Sequence, residues 1–231
     1  MHVPDGFFDP ATAASAGVVA AAGVAVALRR AGTDLDERRL PLTGLTAAYL
    51  FAVQMLNFPV GLGTSGHLVG GALAAVLVGP WMAVLCLTVV LGVQALVFAD
   101  GGLTALGVNV VLLALVSVFA GWAGYRGALA VLPRRWRTVP AAAAVGAWLS
   151  LVAAAVAFVG LYAVGGTTEV SLPAVAAAMV GVHTIIGVGE AVITALTVSA
   201  VVVSRPDLLH RPGDARPGHG APPVVSGARP W

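Results

Sequence analysis

Seven apolar runs, at about residues 11–30, 42–58, 66–79, 81–99, 103–124, 139–164 and 174–203, leave this chain very few folds. A backbone placed in lipid must satisfy its own polar groups, so a spanning segment is either a helix or part of a closed barrel. Runs that stay apolar for 17 to 30 residues fit helices, which need about 20 residues to cross a bilayer. The third run is short for a full crossing and rich in glycine, and Pro80 separates it from the fourth. The whole chain of 231 residues is 59% hydrophobic and 10% charged, with a mean hydropathy of +0.96. That is more apolar surface than one soluble core can hide. The expected fold is therefore an all-α polytopic membrane protein of about seven transmembrane helices.

The loops orient the bundle. Arg29, Arg30, Arg38 and Arg39 follow the first run, Arg126, Arg134, Arg135 and Arg137 the fifth, and Arg205, Arg211, Arg216 and Arg229 the seventh. The alternate loops carry Asp5, Asp9, Asp100 and Glu169 and no arginine. The positive-inside rule then places the amino terminus outside and the carboxyl tail in the cytoplasm, which requires an odd number of crossings. The expected division is a membrane domain over 1–204 and a Pro-, Gly- and Arg-rich tail over 205–231, which reads as disordered. The first ten residues hold no basic residue, so the first span reads as an uncleaved helix rather than a signal peptide. Cys86, the one cysteine, lies within an apolar run and excludes a disulfide framework. The net charge of +2 comes from these arginine clusters and does not indicate a nucleic-acid partner.

The chemistry begins at the terminus, Met1-His2-Val3-Pro4-Asp5-Gly6-Phe7-Phe8. A histidine at position 2 offers the terminal amine, its own amide nitrogen and imidazole Nδ1. Binding through all three closes one five-membered and one six-membered chelate ring and holds the donors nearly coplanar. Planar nitrogen coordination is the geometry of Ni(II) and Cu(II). Such a site requires that Met1 be retained and its amine left unacylated, since an acylated amine is not a ligand. Against this stands the ordinary reading of a polar residue at a frayed end.

Polar residues in apolar surroundings supply the other candidates. His67 follows a loop rich in Gly, Pro and hydroxyls and is expected at a helix entrance on the same side as Met1. It is either the fourth nitrogen ligand or a histidine satisfied by Thr64 or Ser65. Asn57, Thr64 and Ser65 flank it in sequence. Gln54, Gln94 and Asn109 sit in apolar helices, where an unpaired amide is costly. They either orient metal ligands or hydrogen-bond between helices. His183 and Glu190 are seven residues apart in the last run, about two helical turns, and so project from similar faces. A carboxylate at mid-membrane costs about 3 kcal/mol unless paired, which points to a structural or coupling role; an intramembrane enzyme built on His183 and Glu190 is the rival reading. No His-Glu-x-x-His motif and no Gly-x-x-x-x-Gly-Lys-Ser/Thr loop occurs, so neither zinc-protease nor ATPase chemistry is written in the chain.

The opening Met1 to Phe7, the block Asn57–Trp81, the block Gln94–Asn109 and the segment His183–Thr194 resemble the nickel and cobalt substrate-binding components of energy-coupling-factor ABC transporters, the NikM/CbiM family. The resemblance runs in order over most of the membrane part. It implies that the first segment folds back into the bundle and that a metal is held by the Met1 amine, the His2 amide and imidazole, and the His67 imidazole. It also implies a transmembrane coupling subunit, ATP-binding subunits and often a small accessory membrane protein as partners, in the plasma membrane. Thr64-Ser65-Gly66 before His67 looks more like nickel members than cobalt members, and four planar nitrogens suit Ni(II) better than Co(II). Ni(II) is thus the expected cargo, with Co(II), as for cobalamin synthesis, the alternative. An organic solute such as a vitamin would leave the Met-His start without a purpose.

Overall fold

The structure, a computed structural model, describes residues 1–32, 40–61, 64–133 and 136–210. Every apolar run contributes a helix among these residues. Asp9 opens α1 (Pro10–Gly32) by accepting the Thr12 N–H at 2.9 Å, the ordinary way to satisfy a free helix-start donor. Next come α2 (Leu40–Gln54), α3 (Gly71–Val78) and α4 (Pro80–Val97), where Pro80 starts the helix and Gly79 has φ +85°. The fifth run forms a continuous rod, α5 (Leu106–Asn109), a π-helical stretch (Val110–Val116) and α6 (Ser117–Val131). The last two are α7 (Val139–Gly165) and α8 (Leu172–Ser204).

Five of these bodies, α1, α4, the α5–α6 rod, α7 and α8, are long and apolar enough to cross a membrane. The protein is a multi-pass membrane protein. α2 has 15 residues and α3 eight; at 1.5 Å per residue α3 is only about 12 Å long. Its shortness goes with its position. Residues 71 to 77 of α3 are all buried, with α2, α4, α6, α7 and α8 packed around it. The approach is close where α6 passes: a Cβ on Gly121 would stand 2.7 Å from the Ala72 Cβ, so only a small residue lets these two backbones meet. On the outside, Val18, Leu28, Leu45, Leu96, Ile185, Val192 and Leu196 are exposed, as expected of a lipid-facing surface.

Two details depart from the expected all-helical picture. The second apolar run leaves the helix after Gln54, and Phe58–Gly61 (β1) pairs antiparallel with Thr64–Gly66 (β2). Pro59 and the glycines of this stretch disfavour helix, which explains the early exit. His67 does not stand at a helix entrance as expected; it lies in a segment without regular structure, four residues before Gly71, the first residue of α3. Gly70 separates the two with φ +75°, a left-handed conformation that ordinary side chains resist.

After α8, Arg205 pairs with Asp207 at 2.9 Å, Pro206–Leu208 forms a 3-10 turn, and the His210 N–H donates to Val76 O of α3 at 2.9 Å. The segment expected to be disordered from 205 therefore begins with six ordered residues docked against the end of α3. Residues 211–231, with His219, lie outside the described residues, as do Arg38, Arg39, Arg134 and Arg135.

Candidate metal centre

Residues 1–9 form a hook that enters the bundle, and each step of it has an identifiable anchor. At its base Phe7 and Phe8 pack on Phe158 of α7 with ring centroids 5.7 and 5.8 Å away. Asp9 N–H donates to Gly165 O at 2.8 Å, and the Thr167 hydroxyl donates to Gly6 O at 2.7 Å. Gly6, with φ +76°, turns the chain back. Asp5 accepts the Thr104 N–H at 2.7 Å and its hydroxyl. Deeper in, Val3 behaves like a strand residue whose partner is a side chain. Its N–H donates to Asn109 Oδ1 at 2.8 Å, and its carbonyl accepts from Asn109 Nδ2 at 3.2 Å and from Gly102 N–H at 2.8 Å. Met1 and Val3 end up 2% and 1% exposed. Met1, Phe7, Phe158 and Met179 of α8 line one small crevice beside His2.

The hook delivers His2 against His67. The two imidazoles stack with centroids 4.4 Å apart and planes 23° from parallel. Neighbouring acceptors settle which nitrogens keep a lone pair. His2 Nε2 is 3.0 Å from Gln94 Oε1, and Nδ1 is 3.4 Å from Asp100 Oδ1; the shorter contact, to a carbonyl oxygen that only accepts, puts the hydrogen on Nε2 and leaves Nδ1, the chelating atom, as a donor of electrons. His67 Nδ1 is 2.9 Å from Leu68 O and must likewise be protonated, which frees Nε2. His183, buried on α8, repeats the pattern with Nδ1 donating to Met179 O at 2.7 Å.

Electrostatics keep the donors uncharged. Burial lowers the Met1 amine from 8.0 to about 4, with Asp100 pulling the other way. Burial, and then the neighbouring amine, lower His2 to about 4 against the opposing effects of Asp100 and the Gln94 hydrogen bond. His67 is held well below its ordinary value, first by burial and then by the amine, His2 and His183. Neutral nitrogen is the form a metal ligand needs. No group of three or more His, Cys, Asp or Glu side chains placed to hold an ion occurs among the described residues. The hook adds backbone nitrogens of its own beside the two imidazoles, the Met1 amine and the His2 amide.

The expected residues thus fall into three sets. Met1, His2 and His67 are brought together; Gln94 and Asn109 bind the hook; Gln54 and Glu190 bind the segment after His67. Gln54 Nε2 donates to Val69 O at 2.9 Å, and Glu190 accepts the N–H groups of Val69 at 2.7 Å and Gly70 at 3.0 Å. Asn57 is exposed beyond the end of α2 and joins no part of the centre. Thr64 and Ser65 contribute backbone to β2, and their side chains lie outside what is described. Asp100 was not singled out from the sequence, yet its Oδ1 lies 3.4 Å from His2 Nδ1. The available signal was an acid in a glycine-rich loop on the same side as the terminus. Thr104 and Thr167 left no comparable signal.

The family described as CbiM, cobalt uptake substrate-specific transmembrane region, matches residues 2–208. The chain belongs to this family. Among its relatives, a putative metal transport protein of Haloquadratum walsbyi is 48% identical over 126 residues, 54% of this chain and 58% of that one. A putative fused nickel transport protein NikMN of Archaeoglobus fulgidus is 42% identical over 156 residues, 68% of this chain and 50% of that one. The chain spans roughly half the length of these relatives; others are named cobalt transport proteins. A crystal structure described as a truncated transition metal transporter superposes with a TM-score of 0.78 at 31% identity, covering 88% of this chain and 99% of that one. The CbiM/NikM resemblance drawn from the opening segment, the Asn57–Trp81 and Gln94–Asn109 blocks and the last helix thus extends to family and fold.

Proposed function

We propose that the protein is the substrate-binding membrane component of an ATP-driven, energy-coupling-factor type uptake system, and that it captures Ni(II) from the extracytoplasmic side of the plasma membrane. The observation that carries this reading is the stack of His2 on His67 with His2 Nδ1 and His67 Nε2 both left as electron donors. Together with the Met1 amine and the His2 amide they make four nitrogens. Names given to relatives support transport rather than catalysis. Both oxygens of Glu190 are engaged by backbone N–H groups, which leaves the rival intramembrane enzyme without a free acid. Partners expected for such a component are a transmembrane coupling subunit, ATP-binding subunits and a small accessory membrane protein. Hydrolysis by those subunits would drive inward release.

Nickel is favoured over cobalt by the donor set, since four nitrogens with one ionised amide suit planar Ni(II). Co(II) is the second reading, favoured by the description of the matching family. The deciding experiment is competitive titration of the purified full chain with Ni(II) and Co(II), with the mass of the amino-terminal peptide measured in parallel. One Ni(II) per chain, an unmodified Met1 and weaker Co(II) are expected. Tighter Co(II) would install the second reading, and no bound ion of either kind would end both. Inserting four residues after Met1 should abolish tight binding, because the amine then leaves the chelate.

A further inference from the structure

Glu190 lies near the middle of α8 and is 2% exposed, with no cationic side chain paired to it in the described structure. What it holds is backbone: the N–H groups of Val69 and Gly70, the second and third residues after His67. Those two groups point away from any helical partner because Gly70 is left-handed and α3 begins only at Gly71. The N–H groups just ahead of a helix have no intrahelical carbonyl to pair with, and here that need is met by a carboxylate buried in an apolar bundle. That choice is costly, and its return has to be sought in where it places the chain. Gln54 grips the same residue from the other side through Val69 O, and Leu68 O in turn fixes the His67 tautomer. All four residues from His67 to Gly70 are buried.

We infer that Glu190 is the positioning residue for His67: it holds the segment 67–70 where the His67 ring stacks on His2 of the hook with Nε2 unengaged by hydrogen bonds. The inference rests on the proposed ligand role of His67. It also makes α8 common to both halves of the centre, since Met179, about three turns earlier on the same helix, borders the crevice beside Met1 and His2. Outer partners that orient metal ligands typically affect affinity by 10- to 100-fold, and Glu190 acts at one remove through two amides.

The test compares the purified full chain with its H67A, E190Q and E190D variants by titration with nickel sulfate, reading both the dissociation constant and the ligand-field absorption of the bound ion. E190Q keeps the size of the side chain but replaces one acceptor by a donor that faces an N–H. The expected result is a Kd raised by about 10- to 100-fold and an absorption band displaced toward that of H67A, because the fourth nitrogen is no longer held in place. E190D, which keeps the charge and retracts it by one methylene, should lie between wild type and E190Q. If E190Q does not fold, E190D alone decides: a displaced band supports the role and an unchanged band overturns it. A weaker Kd with an unchanged band would also overturn it, since that marks a general loss of stability. If H67A itself leaves the band unchanged, the ligand assignment of His67 falls. If H67A displaces the band and the Glu190 variants do not, only the positioning role falls.

Discussion

The two halves of the candidate metal centre are held in opposite ways. Residues 1–9 are tied down along their length by many partners, from the exposed rim at Asp5, Thr104 and Thr167 to the buried amides of Gln94 and Asn109. The segment 67–70 has few side-chain anchors, and they are deep: Gln54, Glu190 and a glycine in a conformation others resist. A hook that must carry a flexible chain end inward needs redundancy, because each contact has to offset the freedom lost by an otherwise frayed terminus. A segment anchored by helices on both sides needs only a few contacts, but each has no substitute. Damage should therefore be graded in the hook and abrupt in the His67 segment.

Replacing His67 by Ala should produce the largest effect, weakening Ni(II) binding by more than the roughly 100-fold typical of an outer partner, as read by calorimetric titration. Gly70→Ala comes next. Its Cβ would collide with Leu50 Cδ2 in a backbone with φ +75°, and strain of this kind costs on the order of 1–3 kcal/mol; reduced thermal stability and weaker binding should appear together. On the hook side, Asn109→Leu removes both side-chain bonds to Val3, and a loss of about 10- to 100-fold in Ni(II) affinity is expected with little change in the rest of the bundle. Equal damage from Asn109→Leu and His67→Ala would break the contrast between the halves.

Acid should act on the hook before it acts on the helices. The amine and His2 have folded values of about 4 against ordinary values of 8.0 and 6.5, so between pH 4 and 8 the undocked terminus binds more protons than the docked one. Docking is then favoured as pH rises through this window and lost as pH falls. Hydrogen exchange at Val3 in the metal-free protein should slow from pH 5 to pH 8 after correction for intrinsic rates. Ni(II) affinity should rise over the same range, because binding ionises the His2 amide. The smallest change is expected from Thr104→Val at the exposed rim, where a hydrogen bond is worth about 1 kcal/mol or less, a change in Kd within roughly fivefold.

How much of this was legible beforehand differs between the same two regions. Length and continuity of apolar runs announced every helix, and the cost of an amide in lipid drew notice to Gln54, Gln94 and Asn109, each of which has a specific partner. Glu190 stood out for the same reason, though its partners, two backbone N–H groups, leave no trace in residue identity. The placement of His67 was harder. An irregular stretch before α3 depends on a left-handed Gly70, and a glycine in a small-residue helix looks like any other. Asn57 drew attention from its neighbourhood in sequence, yet it ends exposed because α2 stops at Gln54. Asp100 counts in the sequence only as one of the loop acids that orient the bundle, and only the fold brings it beside His2.

The hook also has a consequence for the order of assembly. Its anchors lie 92, 106 and 161 residues downstream, at Gln94, Asn109 and Thr167. Closing loops of that length is entropically late, since non-local contacts form only after the segments they join exist. As the chain is made from its amino end, the first residues must wait at the membrane surface until α7 has been inserted. The part of the molecule synthesised first thus reaches its place late, only after Gln94, Asn109 and Thr167 are there to receive it.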